Sequence, residues 1–116
     1  MIGIIINYTP HPIVVRRKSE TEDITFPVCG ILARVETVET AAGTVEGIPC
    51  VTQTQGAVTG LPEPVAGTTL IVSSMVLSAS NRDDLVAPDT GSTCIRDESG
   101  RIQAVTRFIH RGGGIL

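Results

Sequence analysis

A chain of 116 residues, 41% hydrophobic and 18% charged, has room for one domain and enough aliphatic material for one core. Its formal net charge of −3 argues against a duplex-binding face, and its 3% aromatic content leaves few rings on which bases could stack.

Residues 2–8 form an apolar run, too short for a secretory leader or a membrane span, and read as a buried strand. Thr9-Pro10-His11-Pro12 ends it, because each proline restricts itself and its predecessor to non-helical backbone. Ile13-Val14-Val15 resumes an extended segment. The basic run Arg16-Arg17-Lys18, met at once by Glu20, Glu22 and Asp23, reads as a solvated hairpin tip. Ile24, Phe26 and Val28 then alternate with Thr25 and Pro27, so one face is expected inside.

Across residues 31–38 the same alternation places Ile31, Ala33, Val35 and Thr37 on the core side. A hairpin is expected around Ala42-Gly43-Thr44, with a return strand over 48–55. Residues 56–67 form the clearest loop, since Gly60-Leu61-Pro62-Glu63-Pro64 cannot sustain a ladder. Residues 68–72 read as a strongly buried strand. Ser73 is placed to cap a helix over 74–81, the only helix expected. Residues 82–92 are expected to be polar and irregular, broken by Pro88 and Gly91. The chain closes with a hairpin turning at Asp97-Glu98-Ser99-Gly100 and returning over 101–108. The fold class is therefore mainly β (α+β): a small mixed β-sheet or open barrel with one short helix. It forms a single domain over 1–110, followed by a flexible glycine-rich tail over 111–116.

Three cysteines, Cys29, Cys50 and Cys94, lie far apart, with no CxxC pair and no histidine nearby in sequence. They read as small buried hydrophobes in a reducing compartment, and no metal site is expected. No phosphate-binding loop, nucleophile elbow, zinc-helix or dinucleotide motif is present, so no cofactor is expected.

Four stretches could carry chemistry. Asp89-Thr90-Gly91-Ser92 looks like half of an aspartic protease site, but its flanks differ from that loop and turn chemistry accounts for it. His11 lies between two prolines that fix its backbone directly after a buried strand, the rigidity a binding site needs. Ser80-Asn81-Arg82-Asp83-Asp84 offers a guanidinium for an anion and carboxylates that could orient it; a local ion pair is the simpler reading. Arg111-Gly112-Gly113-Gly114 looks like the trimmed tail of a ubiquitin-like precursor, without the helix-rich middle of that fold.

Several segments together resemble a family of small uncharacterised proteins of bacteriophages, prophages and bacterial accessory genomes. They are Ile6-Asn7-Tyr8-Thr9-Pro10-His11-Pro12-Ile13, Gly60-Leu61-Pro62-Glu63-Pro64 with Gly67-Thr68, Ile71-Val72-Ser73-Ser74, Arg82-Asp83-Asp84-Leu85-Val86-Ala87-Pro88-Asp89-Thr90-Gly91 and Arg96-Asp97-Glu98-Ser99-Gly100-Arg101-Ile102. They are spread over nearly the whole chain. The resemblance implies a mobile-element origin and transfers no catalytic residue.

The function expected is that of a non-catalytic binding protein in the cytoplasm of a bacterial host. It would sequester a small anionic ligand, such as a nucleotide derivative, or inhibit a host protein as an anti-defence factor. Its ligand residues would be Thr9, His11, Ser73, Arg82, Asp84, Asp89 and Thr90, with Arg82 on the anion and His11 donating a hydrogen bond. No nucleic acid and no membrane are expected as partners. Two alternatives stay open: an accessory virion component or homo-oligomer touching through residues 61–65, and a small hydrolase or transferase with His11 as general base.

Overall fold

The computed structural model describes residues 3–17 and 22–110. Among these residues ten strands and one short helix follow one another: β1 (Ile4–Asn7), β2 (Ile13–Arg16), β3 (Asp23–Phe26), β4 (Arg34–Val45), β5 (Ile48–Thr59), β6 (Thr68–Ile71), α1 (Ser74–Ala79), β7 (Leu85–Pro88), β8 (Ile95–Arg96), β9 (Ile102–Ala104) and β10 (Phe108–Ile109). The mainly β class with one short helix is what the composition and alternation lead one to expect, and no barrel closes among the described residues.

The centre is a mixed four-stranded sheet in the order β1-β6-β7-β10. β1, β6 and β7 run parallel; β10 returns antiparallel to β7. β6 and β7 are the two interior strands, and their apolar residues are almost fully enclosed: Leu70, Ile71, Leu85, Val86 and Ala87 are each at most 1% exposed. Strands buried on both faces carry continuous rather than alternating apolar runs, which is the pattern of Leu70-Ile71-Val72 and Leu85-Val86-Ala87.

β7 corrects the expectation of irregular chain over 82–92. Four residues between Asp84 and Asp89 make too short an apolar run to stand out, yet that length suffices where neighbours pair on both sides. β1 departs in the other direction. It is an edge strand, so Ile4 and Ile5 remain exposed although the sequence reads as a buried run.

One sheet face packs on α1. Tyr8, Leu70, Val72, Leu85 and Ala87 meet Val76 and Leu77 of the helix, with Ala33, Val35, Val58 and Leu61 closing around them. Ser73 caps α1 as expected: its hydroxyl accepts the Val76 amide at 3.3 Å. The helix stops at Ser80, short of the expected 81. The other face, carrying Asn7, Ile71 and Val86, is covered by the β2–β3 hairpin and by β9. Val15, Ala104 and Val105 are buried there. β2 and β9 are joined by Arg16 N–H to Val105 O at 2.9 Å and Val105 N–H to Val14 O at 2.8 Å. The β2–β3 pairing ends in a bidentate Arg16–Asp23 ion pair, so the flanks of the basic run do form a hairpin; its tip and the tail over 111–116 lie outside the described residues.

The β4–β5 hairpin is the largest departure. Only its base, Val35 and Val58, packs on the core. Residues 36–49 are all exposed, so a two-stranded ribbon projects from the body. It accounts for a radius of gyration of 17.0 Å, where a compact chain of this length would have about 13 Å. The turn lies at Glu46-Gly47, not at Ala42-Gly43-Thr44. Glu46 (φ 51°) and Gly47 (φ 77°) both have positive φ, as a tight two-residue hairpin turn requires. The expected turn glycine, Gly43 (φ 94°), instead sits at a register shift between Ala41 and Thr44, where a bulge gives it an unpaired place.

Candidate functional site

Beyond the C-terminal ends of the parallel strands the chain leaves β1 through Thr9-Pro10-His11-Pro12. In open sheets with parallel strands that end is where ligands are commonly received. What fixes the turn is Asn7, 1% exposed at the end of β1. Its Nδ2 donates to His11 O at 2.8 Å and Phe26 O at 2.9 Å. Its Oδ1 accepts the Thr9 amide at 2.9 Å and the Thr9 hydroxyl at 2.6 Å. Both donors and both lone pairs of the amide are thereby used. The Thr9 hydroxyl also stands 2.9 Å from His11 O, and its single proton has these two acceptors within reach. Thr9 is buried and serves the turn itself.

The imidazole of His11 is left on the surface, at the mouth of a cavity of about 330 Å³. One wall is the start of β2 with Pro12, Ile13 and Val14. The facing wall is Ile102, Gln103 and Ala104 of β9 with Val105. Pro88 and Thr90, at the end of β7, complete the lining. The polar groups are His11, Thr90 and Gln103, and the rest of the lining is aliphatic or proline. The lining contains no carboxylate, lysine or arginine.

Thr90 is presented by its neighbour. Asp89, 8% exposed, accepts the Gly91 amide on Oδ1 at 3.0 Å and Arg107 Nε on Oδ2 at 2.6 Å, with the Thr93 hydroxyl at 3.4 Å. Arg107 foremost, then the Gly91 amide, holds the Asp89 carboxyl below the usual carboxylate range. The Asp-Thr-Gly segment is thus a side-chain-stabilised turn tied to β10 through Arg107, which fits the turn reading given above.

Arg82 and Asp84 do not join this cavity, which corrects the expected convergence of His11 and Arg82. They precede β7, whereas His11 and Thr90 follow β1 and β7, so the parallel strands separate the two groups toward opposite ends of the sheet. The guanidinium binds Asp84 in two-pronged fashion, Nε to Oδ1 at 2.9 Å and Nη2 to Oδ2 at 2.6 Å, and its Nη1 reaches Pro62 O at 2.7 Å. Arg82 therefore fastens the Pro-rich loop to the entry of β7. Ser73 is likewise occupied, as the cap of α1.

Of the seven residues singled out from the sequence, the cavity gathers His11 and Thr90. Asn7 and Gln103 were not singled out. Asn7 had a legible signal: an asparagine closing an apolar run two residues before a threonine matches a side-chain-to-backbone turn. Gln103 had none, being one polar residue of an alternating strand. The cysteines depart from their expected burial: Cys29 is exposed, and Cys50 and Cys94 are half-buried. No cluster of metal-ligating side chains occurs among the described residues, and no helix of the described chain is long and apolar enough to cross a membrane. No protein-family model, curated protein or solved structure matches this chain.

Proposed function

We propose that this is a non-catalytic binding protein of a bacteriophage or related mobile element, acting in a bacterial cytoplasm by capturing a small molecule in the His11 cavity. The observation that carries the reading is the pairing of a preformed, largely aliphatic cavity with three rim groups on rigid supports: His11 behind the Asn7 clamp, Thr90 beside the Asp89 turn and Gln103 on β9. A mostly apolar pocket with few placed polar groups is the general form of a small-molecule site. The mobile-element origin rests on the motif resemblance alone.

The lining shapes the ligand class. An apolar body with hydrogen-bonding groups at one end suits it, and a nucleoside-like molecule has that form. An anionic group would meet only His11 there, so the fully anionic ligand expected from Arg82 has weaker support. For catalysis the imidazole would need an orienting partner; its ring makes no hydrogen bond among the described residues.

Titration calorimetry with matched nucleosides and nucleotides tests the proposal. The expected result is binding of a neutral member, lost on filling the mouth with Gln103→Trp and retained in Arg82→Ala. Absence of binding across both sets, or loss in Arg82→Ala with the fold intact, would overturn it.

A further inference from the structure

We infer, on the reading of the His11 cavity as a small-molecule site, that its ligand carries an uncharged ring amide, a lactam, whose carbonyl takes the unused main-chain N–H of Val14 and whose N–H meets the Gln103 carboxamide. The cavity is a gap in a strand ladder. β2 and β9 run parallel but share a single isolated bridge, Val15 with Val105. Arg16 N–H to Val105 O and Val105 N–H to Val14 O close it. In a strand the N–H and C=O of one residue leave by the same edge. Val14, whose oxygen faces β9, therefore turns its N–H to β9 as well, while β3 pairs along the opposite edge. A continued ladder would bring that N–H to Gln103 O. The ladder stops instead, and Val14 N–H has no hydrogen-bond partner among the described residues.

At the same place β9 carries a bulge. Ile95 of β8 faces Ala104 and Arg96 faces Ile102, so Gln103 is the extra residue of β9. A bulge bends its strand and re-aims a side chain, and bulges gather beside functional sites. This one lies on the cavity wall that faces Ile13 and Val14. The Gln103 carboxamide makes no hydrogen bond among the described residues. A main-chain donor on one wall and a carboxamide on the other therefore stand open to the same space.

Shape and charge narrow the occupant. The Val15–Val105 bridge closes one end of the gap, so an extended peptide cannot run through it as an added strand. A peptide end would bring a full charge, and the lining has no lysine, arginine or carboxylate to meet it. An amide closed in a ring has the acceptor and donor of the missing rung without charged ends. Its flat faces suit the aliphatic walls of Ile13, Val14, Ile102 and Ala104. Uracil and hypoxanthine belong to this class; adenine, which has no carbonyl, does not.

Calorimetry and amide NMR of the full chain with uridine, inosine and adenosine are the test. Uridine or inosine is expected to bind, and adenosine is not. Methylating the ring N–H of the nucleoside that binds is expected to weaken it roughly tenfold or more, because the group built to accept that hydrogen is left unpaired. In Gln103→Leu, which is on the surface and should leave the circular dichroism unchanged, that methyl penalty should vanish. The Val14 amide resonance should shift on saturation and its hydrogen exchange should slow. Adenosine or the methylated nucleoside binding as tightly as its parent, with Gln103→Trp still blocking it, overturns the lactam and leaves the capture role standing. A Val14 amide unmoved by a bound nucleoside overturns it as well. No binding by any of these nucleosides overturns the lactam and the capture role together.

Discussion

Asn7 Nδ2 stands 2.8 Å from the carbonyl oxygen of His11, so a residue buried beneath the turn holds the backbone of the cavity's histidine and leaves its ring to the surface. The sequence feature that suggested a site, a histidine between prolines, is thus made rigid by a residue four positions earlier.

Removing that clamp should be costly. Asn7→Leu keeps a similar volume but strips the Asn7 partner from Phe26 O and the Thr9 amide and leaves His11 O to the Thr9 hydroxyl alone. Buried polar groups without partners cost about 1–3 kcal/mol each before relaxation. We expect a loss of about 3 kcal/mol in urea unfolding, together with loss of ligand binding. A change below about 1 kcal/mol would show that the turn stands without Asn7.

Asp89 makes the fold acid-sensitive. Arg107 and the Gly91 amide lower its carboxyl in the folded chain, so the unfolded chain binds the proton more readily. The contribution is complete above the unfolded value of about 4 and is lost as pH falls through the lower folded value. Unfolding midpoints measured from pH 6 down to pH 2 should therefore decline more steeply for wild type than for Asp89→Asn. Parallel curves would contradict the role given to the Arg107 pair.

Two glycines with nearly the same positive φ should respond differently to alanine. Gly30 (φ 92°) faces open space, whereas a Cβ on Gly60 (φ 91°) would run into the Leu32 carbonyl oxygen, which is backbone and cannot rotate away. Gly30→Ala should cost about 1 kcal/mol from conformation alone. Gly60→Ala should cost roughly 3 kcal/mol or more, as steric overlap is added. Equal losses in urea unfolding would refute the close approach of the β4–β5 arm's base to the 32–33 segment.

The tip of the arm offers a stabilising substitution, because Glu46 holds a positive φ of 51°. Glu46→Asn creates Asn-Gly, the pair favoured in this turn, and should stabilise the monomer by about 0.5–1 kcal/mol. No gain in urea unfolding would contradict the strain assigned to the Glu46-Gly47 turn.

Much of the frame was legible in residue order. Leu70-Ile71-Val72 announced a strand enclosed on both faces, Ser73 a helix start, and Asp97 to Gly100 a turn. Legibility failed where tertiary position outweighs local pattern. The alternation in 34–59 marks strands but not what covers them, and most of that ribbon is uncovered. Gly43 offered the same backbone freedom as a turn glycine and was used for a bulge. Arg82 and His11 could be judged rigid and polar from the sequence; that they lie toward opposite ends of the sheet follows only from the parallel pairing of β1, β6 and β7.

That pairing has a kinetic corollary. Ile4 lies beside Thr68, so β1 gains its partner only after a large closed loop, containing both the β2–β3 hairpin and the arm, has surrendered its chain entropy. The arm itself can zip from Glu46-Gly47 with neighbours close in sequence. Refolding should consequently be limited by closure of the β1–β6 seam. Changes in the ribbon's outer half would then leave the folding rate nearly constant, while truncating Ile6 or Leu70 would slow it.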